Sequence, residues 1–292
     1  MPSEAQTRWA RSLEGRRVGV ALSSGFFGFY AHAGFLKAID ELGIRPSALS
    51  GTSAGALVAG LRAAGLNPKE LEALFRSLTR EDFWERRRWL ALLGAAARGF
   101  SGYRGYLSGT RFRELLERSL PVRTFEECTV PLYVASSNIT EGRRHLFSSG
   151  SLVDALHASC AYPFLFATAV IGGSHHMDGG LVDKLPVEEL VAAEKVDVLL
   201  VNYLTSDAGS GNAWLARPLS MLRALRRGLD VVRNSHARWK LRWAESLGCR
   251  TYVFCPTLPR VGPRRMGEGG RAIEAGYRET LRIIEDDAFL TT

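Results

Sequence analysis

Ser53 stands between glycines in Gly51-Thr52-Ser53-Ala54-Gly55, a G-x-S-x-G pattern. In that spacing a serine sits on a strained strand-to-helix turn with its hydroxyl exposed for nucleophilic attack, and the small neighbours let strand and helix approach closely. The flanks suit the turn. RPSALSG can supply a short strand, and AGALVAGLRAAG is rich in alanine and leucine and free of proline, as a helix requires. The start of such a helix aims free N–H groups and a partial positive charge at the serine. A nucleophilic serine also needs a base. None of the six histidines, His32, His145, His157, His175, His176 and His236, carries a triad signature. Asp178-Gly179-Gly180 offers a carboxylate beside two residues without side chains, which permit a tight turn and a close approach to Ser53. An aspartate, with a reference pKa of about 3.9, serves as a base at neutral pH only where an apolar surrounding raises it. On the residues alone, D-G-G reads first as a surface turn.

Acyl transfer needs donors for the developing oxyanion as well. Ser24-Gly25-Phe26-Phe27-Gly28 supplies a glycine-bearing loop, so the amides of Gly25 and Phe26, with that of Ala54, are the expected donors. The loop has only G-x-x-G at Gly25 and Gly28, which argues against a dinucleotide fingerprint.

The elements that must position these residues follow from the pattern. RRVGVALS (16–23) reads as a buried first strand, then a glycine-rich loop, then FLKAIDELG with apolar residues at helical spacing. Residues 67–120, opened by Asn67 as N-cap and Pro68, read as a helical insertion. PLYVASSNI (131–139) and HLFSS (145–149) form a hairpin about TEGRR, SLVDALHASCA opens as a capped helix, and VIGGSHHMDGGLVDKLP is turn-rich. EELVAAEK is a short helix and VDVLLVNYL (196–204) a buried parallel strand. A basic region, 214–292, closes the chain with a long Trp- and Arg-rich helix (214–247), the strand RTYVFCP and a last helix near 270–286. The alternation is that of an α/β protein, with 1–292 expected to form one domain.

Taken in order, VALSSGFFGFYAHAGFLKAIDELGI, ALSGTSAGALVAG, ASCAYPFLFA and MDGGLVDKLPVEEL resemble the successive signatures of patatin-like acyl hydrolases, over roughly residues 17–204. The resemblance implies a three-layer α/β/α sandwich with a mostly parallel central sheet. It also implies a Ser-Asp dyad at Ser53 and Asp178, and hydrolysis of lipid acyl esters through an acyl-enzyme, without metal or other cofactor. Ser24, Gly28, Gly51, Gly55, Gly179 and Gly180 then support the motifs. The chain departs from the family at the oxyanion loop: the usual G-G-G-x-R/K-G is replaced by Ser23-Ser24-Gly25-Phe26-Phe27-Gly28, and the segment from Gly28 to His32 runs one residue longer. Serine preserves the loop only where φ is not positive. Two alternatives stand beside the dyad enzyme: a non-catalytic or weakly catalytic lipid-binding relative, and an α/β-hydrolase triad using His236, the one histidine after Asp178.

Composition limits the partners. Among 292 residues, 38 Lys and Arg, nearly all arginine, exceed 30 Asp and Glu, for a net charge of +8. Arginine forks suit phosphate on lipid or nucleic acid alike. FWERRRWLALLGAAARGF (83–100) joins aromatics, arginines and an apolar run, the ingredients of an interfacial helix anchored by Trp84 and Trp89. The expected partners are a lipid or other acyl-ester substrate and an anionic membrane surface rather than nucleic acid. MPSEAQTRWARSLEGRR lacks the apolar core of a secretory signal, and no stretch approaches the roughly 20 apolar residues of a membrane span. Cys128, Cys160, Cys249 and Cys255 form no C-x-x-C pair, so the expected place is cytoplasmic, peripheral on a membrane. His176 and Asp178 would share a strand face, but two ligands make no metal site.

Overall fold

A computed structural model describes residues 2–84, 106–163, 165–205, 220–257, 259 and 261–286. From the N-terminus, α1 (Glu4–Ser12) leads to β1 (Val18–Leu22), α2 (Phe29–Glu41), β2 (Ala48–Thr52), α3 (Ala54–Ala63) and α4 (Pro68–Ser77). Then come α5 (Thr110–Ser119), β3 (Leu132–Asn138), β4 (Arg143–Phe147), α6 (Leu152–Ser159), β5 (Ala169–Ile171) and β6 (Ser174–Asp178). The chain continues through α7 (Glu188–Ala192), β7 (Val198–Asn202), α8 (Ser220–Ser246), β8 (Arg250–Phe254) and α9 (Gly269–Ile284).

The strands form one mixed sheet in the order β5-β6-β3-β2-β1-β7-β8, with β4 also on β3. From β3 to β8 the neighbours are parallel, and this is why β1, β2 and β7 read as near-continuous small and apolar runs: every residue in them is buried. Alternation along the strands divides the core. Val18, Val20, Leu22, Val198 and Leu200 join the cluster with α1, α2, α3, α4 and α9, whereas Ala21, Leu199 and Val201 join α7 and α8. Helices thus cover both faces, and the chain is a three-layer α/β/α sandwich.

Of the helical insertion at 67–120, the structure describes α4, a 3-10 turn at Arg80–Asp82 and α5; residues 85–105, and Trp89 with them, lie outside the described residues. α4 is capped as its sequence announces: the Asn67 side chain accepts from the amides of Lys69 and Glu70, and the Glu70 carboxylate returns to the Asn67 amide at 2.7 Å. The stretch read as turn-rich after α6 is instead a hairpin. Gly172 and Gly173, at φ 56° and 82°, make the tight turn between β5 and β6 that two left-handed glycines allow.

That hairpin decides where Asp178 lies. β4 occupies one edge of β3 from Val134 to Asn138. The opposite edge is shared: β2 follows it as far as Thr52 opposite Ala135, and β6 takes over with Asp178 opposite Ser136. Where β2 turns away at Ser53, β6 arrives, and consecutive residues of β3 bring the serine and the aspartate side by side.

Candidate active site

The turn from β2 into α3 puts Ser53 at φ 55° and ψ −120°, a conformation that a residue with a side chain rarely adopts. Close packing enforces it. A Cβ on Gly55 would lie 2.1 Å from the Leu22 carbonyl oxygen, and one on Gly51 would lie 2.5 Å from the Gly55 backbone. The C-terminal end of α6 grips the turn from outside: the Ser53 amide donates to Ser159 Oγ at 2.9 Å, and the Cys160 thiol donates to the Ser53 carbonyl. Cys160 is therefore a packed support, its buried thiol held well above the ordinary range by desolvation.

Ser53 Oγ donates to Asp178 Oδ2 at 2.6 Å, while Asp178 Oδ1 accepts the Gly180 amide at 2.7 Å. The Asp178 amide in turn donates to the Ala161 carbonyl. Gly179 has no room for a side chain, since a Cβ there would meet the Ala135 carbonyl oxygen at 2.2 Å. Burial raises the carboxyl to a pKa of about 6, against the lowering pull of the Ser53 and Gly180 hydrogen bonds and the Arg233 charge. Asp178 is only 3% exposed, so desolvation wins.

Between β1 and α2, neither Ser23 nor Ser24 stands at positive φ; the loop's left-handed residue is Phe27, at φ 56°. Serine in place of glycine at 23 and 24 thus carries no backbone penalty, and the Ser23 hydroxyl adds a bond to one that the backbone at 24 makes with any residue. Ser23 Oγ accepts the Leu204 amide at 2.8 Å, and the Ser24 amide donates to the Lys184 carbonyl at 3.0 Å. Behind the loop, the fully buried His32 donates through Nε2 to the Ser23 carbonyl at 2.8 Å and accepts from Asn202 through Nδ1. Desolvation holds this imidazole near a pKa of 4, so it is a neutral brace.

Ser24, Gly25, Phe26, Gly28, Ser53, Ala54, Asp178 and Gly180 line one cavity of about 550 Å³ at the carboxyl ends of β1 and β2, the crevice where open α/β sheets bind ligands. Phe27, Phe29, Phe83 and Phe112 follow one another at ring separations of 5.6 to 6.3 Å along an aromatic wall. Trp84 belongs to that wall, with Arg80 stacked 4.7 Å over its ring. His236 is exposed on α8 and stacks on Trp239; no histidine lines the cavity among the described residues. His176 bonds Ser136, His175 bonds Thr168, and among the described residues no three His, Cys, Asp or Glu side chains gather as a metal site would need.

Apart from His236 as an alternative base, the sequence pattern assigns no role to α8. Arg233 donates to the Gly180 carbonyl at 2.8 Å and pairs with Asp230. Lys240, 0% exposed, reaches Asp183 at 2.7 Å and Glu188 at 2.9 Å, and Arg144 closes on Asp183 from the other side. Asp183 lies five residues beyond Asp178, and its carbonyl accepts from Thr52, next to the nucleophile.

With a serine on a strained elbow beside a buried aspartate at its strand ends, the molecule belongs among the three-layer α/β/α folds with a mostly parallel sheet. Residues 20–191 match the family of patatin-like phospholipases, and the chain belongs to it. Lysophospholipase NTE1 of Kluyveromyces lactis is 30% identical over 187 residues, 63% of this chain and 12% of that protein. An uncharacterized NTE family protein of Mycobacterium bovis is 28% identical over 247 residues, 85% of this chain and 64% of the other. The chain thus spans less than two thirds of either relative. VipD from Legionella pneumophila shares the fold at a TM-score of 0.50 and 15% identity, across 94% of this chain and 67% of that one. Among the described residues no helix is long and apolar enough to cross a membrane.

Proposed function

We propose that the protein is a serine acyl hydrolase of lipid esters working through a Ser53–Asp178 dyad. The observation that carries this reading is the 2.6 Å bond from Ser53 Oγ to a carboxylate whose pKa burial has lifted toward neutrality. Asp178 takes the hydroxyl proton as Ser53 Oγ adds to the ester carbonyl. The amides of Gly25, Phe26 and Ala54, which have no acceptor among the described residues, hold the resulting oxyanion. Collapse breaks the bond to the alcohol, which leaves with the proton from Asp178. Water then attacks the acyl-enzyme, gives its proton to Asp178, and Ser53 recovers it as the fatty acid departs.

The lipid is taken from a membrane surface by α8. Met221, Leu225, Leu229 and Val232 recur at helical spacing, and each is at least 45% exposed. The same helix sends Asp230 and Arg233 into the cavity wall.

A fluorophosphonate probe should label Ser53, and Ser53→Ala and Asp178→Asn should each cut ester turnover by about 10³-fold or more with the fold intact. Normal turnover in either folded variant removes the dyad. Lipid binding without turnover in the unaltered protein would leave a non-catalytic relative.

A further inference from the structure

Ser24 stands where the oxyanion loop of the family usually carries glycine, and it brings a hydroxyl to the Asp178 side of that loop. Its backbone is fixed, because its amide donates to the Lys184 carbonyl at 3.0 Å, and the residue lines the cavity together with Ser53 and Asp178. Gly180 shows where the hydroxyl lies. A Cβ on that glycine would stand 2.7 Å from Ser24 Oγ and 2.9 Å from Asp178 Oδ1. Two oxygens that flank one point so closely can both hydrogen-bond a single oxygen atom placed on their cavity side.

Ester hydrolysis through an acyl-enzyme puts such an oxygen beside the base twice. In acylation the oxygen of the departing alcohol takes a proton from the Asp178 carboxyl, and in deacylation the attacking water gives one back. Both oxygens are bonded, or become bonded, to the same ester carbon, so they occupy the same place. The carboxyl meets that place from one side, with Oδ2 on Ser53 and Oδ1 on the Gly180 amide. A group on the other side has to donate to the alcohol oxygen as its bond to carbon breaks, and to accept from the water. A backbone amide only donates, whereas a hydroxyl does both.

We propose that the Ser24 hydroxyl holds the oxygen that exchanges a proton with Asp178: the leaving alcohol in acylation and the attacking water in deacylation. It donates a hydrogen bond to the first and accepts one hydrogen of the second, while Asp178 takes the other. No bond to Ser24 forms or breaks. This inference rests on the hydrolase reading and gives the loop serine a part separate from that of the oxyanion amides.

The test sets the p-nitrophenyl ester of a short fatty acid against the ethyl ester of the same acid, both dissolved as monomers. p-Nitrophenol departs as its anion and needs no proton, whereas ethanol does. With Ser24→Ala, kcat/KM for the ethyl ester should fall about five- to tenfold, the worth of one hydrogen bond, while kcat/KM for the p-nitrophenyl ester holds. On that second ester kcat and KM should fall together by a similar factor, with a burst of p-nitrophenol as the acyl-enzyme accumulates. Ser24→Thr keeps the hydroxyl and should restore both steps. If the alanine variant does not fold, Ser24→Cys, of similar size and a weak hydrogen-bonding group, should give the same split. Equal losses of kcat/KM on the two esters would make Ser24 a general support of the loop and overturn the proposal, as would unchanged kinetics on both. Failure of the hydrolase reading looks different: no Ser53-dependent release from either ester by the unaltered protein, which takes this proposal with it.

Discussion

The two halves of the candidate dyad are held in opposite ways. Ser53 is fixed largely by its own neighbourhood: a strand end, two glycines that admit no side chain and the first turn of α3, all within a dozen residues, with the Leu22 carbonyl against Gly55 and the Ser159 hydroxyl as outside supports. Asp178 is held from across the chain. Ala161 takes its amide, Arg233 holds the carbonyl of Gly180, and Lys240 and Arg144 fix the Asp183 carboxylate that anchors the following loop. A nucleophile turn encoded locally can be read as a motif, whereas a base placed by distant helices depends on contacts that leave no short pattern.

Cutting the distant support gives the sharpest break between the halves. Asp183 is fully buried, and although burial alone would raise its pKa, Lys240 and Arg144 hold it below the usual carboxylate range. Lys240→Met leaves that carboxylate with Arg144 and the Leu185 amide, and removing one partner of a buried ion pair costs about 3 kcal/mol or more. Denaturant unfolding should show this loss. Turnover by the remaining folded protein should fall as well, and fluorophosphonate labelling, which needs Ser53 activated by Asp178, should slow with it. Unchanged stability would mean that α8 merely rests on the site.

Legibility in the sequence divides along the same line. Ser53, Gly51 and Gly55 stand out because each occupies a position where the elbow or close approach admits few residue types, whereas Asp178-Gly179 alone reads as a surface turn and gains a role only when the ordered signatures are taken together. The alternation of buried strands and helices gives the layered fold for a similar reason, since a strand buried on both faces must be apolar throughout. The hairpin carrying Asp178 was hidden by its composition: Ser174-His175-His176-Met177-Asp178 lacks a strand's apolar period, and its glycine pair suggested only a loop. His32, Asn202, Ser159, Lys184, Arg233 and Lys240 have ordinary identities and acquire roles through partners that are mostly distant in sequence.

The energetic signature of the aspartate sharpens the comparison at a smaller scale. In the folded chain Asp178 keeps its proton up to about pH 6, whereas an unfolded aspartate releases it near 3.9. Between those values the folded state binds more protons, so this group's contribution to stability falls as pH rises through the window and is lost above it. At pH 8 the strained carboxylate therefore costs the fold up to about 3 kcal/mol. Asp178→Asn should raise stability at pH 8 by about 1–3 kcal/mol, with the gain shrinking below pH 6. Turnover by the unaltered protein should fall about tenfold per unit as pH drops below 6, because the base is then protonated. A pH-independent stability change would show that burial does not set this pKa.

The smallest expected effect concerns the face of α8 turned away from the dyad. Its buried side holds Asp230, Arg233 and Lys240 near the aspartate arm, and its exposed side presents Met221, Leu225, Leu229 and Val232. Buried apolar area is worth about 25 cal/mol per Å², so two exposed side chains inserted at head-group depth add one or two kcal/mol to binding, enough to matter without governing catalysis. Arginines along the helix supplement this by attracting anionic lipid, at about 1 kcal/mol each. Met221→Ser with Leu225→Ser should therefore weaken binding to anionic vesicles several-fold and reduce turnover of vesicle-borne ester to a similar degree. Turnover of the same ester as a dissolved monomer tests whether the loss lies at the surface or in the site. Equal losses on both presentations would place these residues in support of the aspartate arm, and unchanged vesicle binding would remove α8 as the docking face.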